Sequence, residues 1–89
     1  MTAQPKVVMY GTAMCPYCAA ARMLLTKKKV AFEDISVSGD AELRAKMEQL
    51  SGRRTVPQIF IDDNPVGGFD DIYELDQKGE LDRLLGLAD

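Results

Sequence analysis

The sequence predicts one α/β domain spanning residues 1–89, a mixed four-stranded sheet with helices on both faces. Three observations predict it. Two short apolar runs, Val7, Val8, Met9, Tyr10 and Gln58, Ile59, Phe60, Ile61, have the length and composition of buried strands. The stretches after Gly11 and after Asp40 repeat apolar residues at three- and four-residue steps, the period of a helix with one face covered. The links between strands are of two kinds: a helix separates the first two, which makes them parallel, and a tight turn separates the last two, which makes them antiparallel.

Each element follows in order. The first strand ends at Gly11, and Cys18, Ala21 and Leu25 then mark the inner stripe of a helix from about 15 to 28, with Arg22 and Lys28 free to face water. Residues 31–35 alternate, with Phe32 and Asp34 on the side opposite Glu33, and read as a second strand. Asp40 is a good N-cap for a helix carrying Leu43, Met47 and Leu50 on one stripe, and Gly52 supplies its stop. The third strand is followed by the turn Asp62, Asp63, Asn64 and by a short return starting at Pro65, where proline suits an edge. Gly67 and Gly68 precede a helix from about 70 to 78, and Leu81, Leu84 and Leu85 suggest a last short one. The order βαβαββα is the thioredoxin-like pattern.

Composition narrows the function. The chain is 46% hydrophobic and carries a net charge of −3, so it is globular and has no long-range attraction for nucleic acid or anionic lipid. The basic run Lys27, Lys28, Lys29 reads as the solvated end of a helix. No stretch approaches the ~18 apolar residues of a membrane span. Residues 1–10 lack a charged region followed by a long apolar one, so no secretion signal is expected and a cytoplasmic location is. In a reducing compartment the two cysteines, Cys15 and Cys18, are poor candidates for a permanent staple, and so small a loop would gain little from closure.

Chemistry explains them better. Cys15-Pro16-Tyr17-Cys18 lies where the first strand hands over to a helix. A helix N-terminus offers unpaired N–H groups and a positive dipole end, both of which favour a thiolate. Cys15 is therefore the expected nucleophile, and Cys18, one turn later on the same face and more shielded, the expected resolving thiol. Two bland alternatives are half a zinc site, though zinc wants four ligands and the chain has no third cysteine and no histidine, and an incidental pair of small residues packed in a helix. Thr55-Val56-Pro57 is a second feature: the proline marks either a cis bond exposing the Val56 backbone to an extended thiol peptide or an ordinary strand entry. Gly67-Gly68-Phe69-Asp70-Asp71 is a third, where backbone can approach a ligand closely and the N–H groups of Phe69 and Asp70 form an anion site. Asp70 there reads as an acceptor for an ammonium group or as a simple N-cap.

Together, Cys15-Pro16-Tyr17-Cys18, the run from Thr55 to Ile61 and the run from Gly67 to Asp71 closely resemble the glutaredoxin family, of the small bacterial dithiol type. The resemblance extends from Val7 to about Leu85. It implies a glutathione-disulfide oxidoreductase that reduces protein disulfides with both thiols and glutathionylated proteins with Cys15 alone, without a tightly bound cofactor or metal. It also implies a glutathione site. Val56 would pair its backbone with the cysteinyl part, Thr55 and a cis Pro57 would flank it, and Tyr17 would border the groove. Gly68, Phe69 and Asp70 would take the glutamyl end, and Arg53 the glycyl carboxylate. Two positions depart from the family's common pattern: Thr12, also expected at the glutathione site, stands where the usual residue is a lysine that helps hold the thiolate and the substrate carboxylate, and Phe69 stands where a small or sulfur-containing residue is usual, so that a phenyl ring either narrows the groove or packs beneath it. The partners implied are glutathione and disulfide-bearing or glutathionylated proteins, with a monomer expected. Two rival readings are a donor recharged by thioredoxin reductase and a module holding an iron–sulfur cluster between two protomers.

Overall fold

In a computed structural model describing residues 4–87, the order is β1 (Val7–Gly11), α1 (Pro16–Lys27), β2 (Glu33–Ser36), α2 (Ala41–Ser51), β3 (Gln58–Ile61), β4 (Asn64–Gly67), α3 (Phe69–Gln77) and α4 (Glu80–Leu84). Met1, Thr2 and Ala3, which begin the stretch read for a secretion signal, lie outside the described residues, as do Ala88 and Asp89. The sheet order is β2-β1-β3-β4. Strand β1 runs parallel to β2, pairing Val8 with Glu33 and Gly11 with Ser36, and antiparallel to β3, pairing Val7 with Ile61 and Tyr10 with Gln58. The hairpin to β4 turns through Asp62 and Asp63, both at positive φ, a conformation that matches the twist of the paired strands.

The two-residue period of the strands sorts their side chains into two cores. Val7, Met9, Ile59 and Ile61 face α1, α3 and α4, where Cys18, Ala21, Leu25, Ile72 and Leu81 close the larger cluster. Val8, Tyr10 and Phe60 face the other way and meet Met47 of α2 together with Val37. Tyr10 and Phe60 pack edge to face with centroids 5.6 Å apart. This is the thioredoxin-like arrangement, with helices on both faces. Asp40 caps α2 through a 3.0 Å bond from the Leu43 N–H, and Gly52 ends it in the left-handed region.

Four expectations need correcting. Strand β2 begins at Glu33, not at Ala31, because its pairing with β1 starts there; Phe32 precedes it and packs on the larger core. Leu50 is half exposed, at 51%. Its helical stripe is right, but a groove of about 330 Å³, bordered by Leu50, Lys46 and Phe60, separates the last turn of α2 from the sheet. Lys28 does not face water: its ammonium lies 2.6 Å from Asp76 and 2.7 Å from Asp82, joining the end of α1 to α3 and α4. Arg22 is not free in water either: it pairs at the surface with Asp34 of β2 at 2.6 Å.

Candidate active site

The site grows from the end of β1. Cys15 occupies the N-cap of α1 with extended backbone angles, and Pro16 takes the first helical position, where no N–H is needed. The Cys15 sulfur, partly exposed, accepts the Cys18 N–H at 3.2 Å. Partial burial pulls its thiol up, but hydrogen bonds from the Cys18 side chain and from the Cys18 and Tyr17 N–H groups, with the Arg22 charge, outweigh this and hold it below the ordinary thiol value. Cys18 has no exposed surface. Burial pushes its thiol up, the neighbouring Cys15 pushes the same way, and the Thr12 N–H, 3.5 Å from the sulfur, opposes them. Gly11 lies under that sulfur so closely that a Cβ there would sit 3.0 Å from it. The sequence thus produces one acidic, reachable thiol and one enclosed, reluctant one.

A groove of about 300 Å³ lies beside the pair. The Cys15 sulfur is 4.0 Å from the carbonyl oxygen of Val56, and Val56, Thr55 and Pro57 form one wall; the Val56–Pro57 peptide is cis. Gly68, Phe69 and Asp70 at the start of α3 line the groove as well, together with Tyr17. The rings of Tyr17 and Phe69 lie 6.4 Å apart, and Phe69 also packs on the larger core, so its phenyl is a groove wall anchored from beneath. Arg53 and Asp71 complete the lining and bond to each other at 2.7 Å. Asp71 accepts the Gly68 N–H as well, at 2.9 Å. The Arg53 guanidinium first, and that N–H second, hold its carboxyl below the usual range. The neighbouring Gly67 has a φ of +106, and the Asp71 carboxyl fills the space any Cβ would need, so only glycine fits.

The glutaredoxin family's sequence model matches residues 7–66. The chain belongs to the glutaredoxin family. It is 49% identical to a glutaredoxin of Pseudomonas aeruginosa over 81 residues, covering 91% of this chain and 96% of that one. Glutaredoxin 3 of Escherichia coli is also 49% identical, over 89% of this chain and 95% of its own. The solution structure of a Brucella melitensis glutaredoxin superposes with a TM-score of 0.84 at 46% identity, covering 97% and 94% of the two chains. A buckwheat glutaredoxin–glutathione complex superposes equally well, at 0.84 and 26% identity, over 92% of this chain and 77% of that one. The chain is thus a glutathione-dependent oxidoreductase with a redox-active cysteine pair.

Of the residues expected at a glutathione site, Tyr17, Arg53, Thr55, Val56, Pro57, Gly68, Phe69 and Asp70 all line this glutaredoxin groove. Thr12 does not. Its N–H is directed at Cys18 and its carbonyl at Arg22. Sequence reasoning overlooked Arg22, Gln58 and Asp71. Gln58 is buried in the groove floor and donates to the Thr55 carbonyl at 2.9 Å. Arg22 had a usable signal, since it lies four residues after Cys18 and so on the same helical face. Asp71 had a fainter one: it closes half a capping box, but its reciprocal partner is glycine, which lacks the side chain that makes the motif visible. Among the described residues no group of three or more His, Cys, Asp or Glu could hold a metal ion, and no helix is long and apolar enough to cross a membrane.

Proposed function

We propose that the whole chain, residues 1–89, acts as one monomeric cytoplasmic domain that reduces protein disulfides by a dithiol route and glutathione mixed disulfides by a monothiol route. The observation that carries this reading is the groove beside Cys15, walled by the backbone around Val56 and by the N-terminus of α3. Glutathione bound along it would bring its sulfur to Cys15 with Val56 as backbone partner, its glutamyl end at Gly68, Phe69 and Asp70, and its glycyl end towards Arg53. The N–H groups opening α3 suit a carboxylate, and Asp70 an ammonium group. The buckwheat complex with glutathione supports the choice of ligand. Thr12, outside this groove, meets Cys18 instead, its backbone N–H lying 3.5 Å from that sulfur.

In the dithiol route the Cys15 thiolate attacks a substrate disulfide and expels one substrate thiolate. Cys18 then attacks the Cys15 sulfur of the mixed disulfide, releasing the reduced substrate and leaving Cys15 joined to Cys18. Two glutathiones restore the dithiol and leave as glutathione disulfide. In the monothiol route Cys15 takes the glutathionyl group, and a second glutathione removes it. No resident cofactor takes part in either.

The test is reduction of a glutathione mixed disulfide, with glutathione and glutathione reductase as electron source. Cys15→Ser should lose activity at least a hundredfold, the scale of losing a nucleophile, whereas Cys18→Ser should retain most of it. Equal losses in both would remove the monothiol route. Turnover only with thioredoxin reductase would favour a donor of that kind, and iron with visible colour in the purified protein would favour a cluster-binding role.

A further inference from the structure

Arg22 is the charged group nearest the enclosed thiol that the scheme above leaves without a task. Its Nε bonds Asp34 Oδ2 at 2.6 Å, and its Nη2 reaches both Asp34 Oδ1 at 3.4 Å and the Thr12 carbonyl oxygen at 3.1 Å. A guanidinium held on two sides is rigid and cannot give up its charge. The residue it holds by the carbonyl, Thr12, is the one whose N–H faces the Cys18 sulfur at 3.5 Å. Asp34 lies on the edge strand β2, so a chain of contacts runs from the sheet edge through α1 to the resolving thiol.

We propose that Arg22, anchored by Asp34, is a positioning residue for the resolving step: it fixes Thr12 so that the Thr12 N–H, backed by the guanidinium charge, receives the Cys18 thiolate as it forms. The idea rests on the reading of Cys15 as attacking and Cys18 as resolving sulfur. In that step the Cys18 proton passes to solvent, a bond forms between the sulfurs of Cys18 and Cys15, the bond from Cys15 to the glutathionyl sulfur breaks, and glutathione leaves as its thiolate. With glutathione disulfide as oxidant, the dithiol loses two electrons and the oxidant becomes two glutathiones. Enclosure of Cys18 opposes formation of its anion, and an aimed N–H with a fixed positive charge offsets that where water cannot.

The experiment mixes reduced protein rapidly with glutathione disulfide and follows two phases, formation of the mixed disulfide on Cys15 and release of the second glutathione. Arg22→Gln should slow release by about three- to tenfold more than formation, the scale of losing one charge-assisted contact. Arg22→Lys, which keeps the charge but not the two-sided grip, should recover at least half of that loss on a logarithmic scale. Asp34→Asn, which leaves the arginine in place without its anchor, should slow release in the same sense by a smaller factor. Equal slowing of both phases in Arg22→Gln, or a lysine variant no better than the glutamine, would overturn the proposal. Release that persists in Cys18→Ser would instead overturn the reading beneath it.

Discussion

Cys15 and Cys18 differ in environment, and the difference is measurable without substrate. The Cys15 thiol is held below its ordinary value, so its anion survives as pH falls past the range where a free thiol protonates and is lost only at the lower folded value. The contribution of this group to stability has the same sign: present above the unfolded value, lost on acidification through the folded one. Alkylation by iodoacetamide at pH 7 should therefore be several-fold faster at Cys15 than in free glutathione, with a midpoint shifted to lower pH. A midpoint at the ordinary thiol value would contradict the hydrogen bonds that gather on this sulfur. The placement of the two cysteines was legible because a Cys-Pro-Tyr-Cys run at a strand–helix junction dictates which sulfur caps the helix and which lies one turn inside it. The ion pairs of Arg22 and Asp71 were not, because their partners, Asp34 and Arg53, are distant in sequence and only folding brings them near.

Among the elements, α2 and the end of α1 show how much a side chain's neighbours matter beyond its periodicity. Leu43, Met47 and Leu50 share a stripe, yet only Met47 is fully enclosed. Met47→Ala should destabilise the protein by about 2–4 kcal/mol in urea unfolding, the cost of a core cavity, whereas Leu50→Ala should stay within about 1 kcal/mol. Similar losses would mean that α2 closes down on the sheet in solution. Lys28 provides a second contrast, since it read as a solvated helix end and instead ties three helices together. Lys28→Met should cost about 1–2 kcal/mol at pH 7, a modest figure because Asp82 is 38% exposed. Its hydrogen bonds to Asp76 and then Asp82 raise the Lys28 pKa, so the stabilisation is complete below the unfolded lysine value and fades only as pH rises through the higher folded one. The gap between native and variant in urea unfolding should thus persist at neutral pH and close in strong alkali.

At the scale of the whole molecule, the element order, the parallel pairing of β1 with β2 and the antiparallel pairing of β3 with β4 were readable from periodicity and link length, whereas the place of β3 beside β1 was not. The readable features depend on local composition and on chain geometry. What escaped was fit: where β2 begins, how far α2 stands from the sheet, and which charged side chains are paired, all of which are decided by pairing and packing between distant segments. One consequence of that packing belongs to the molecule as a whole. Cys18 is sealed between Gly11 and the larger core with no surface of its own, so in a Cys15→Ser background a reagent can mark its sulfur only when the fold opens. The rate of that marking, followed by mass spectrometry, is then a clock for spontaneous opening, and it should slow with every substitution that stabilises the core and quicken with Met47→Ala.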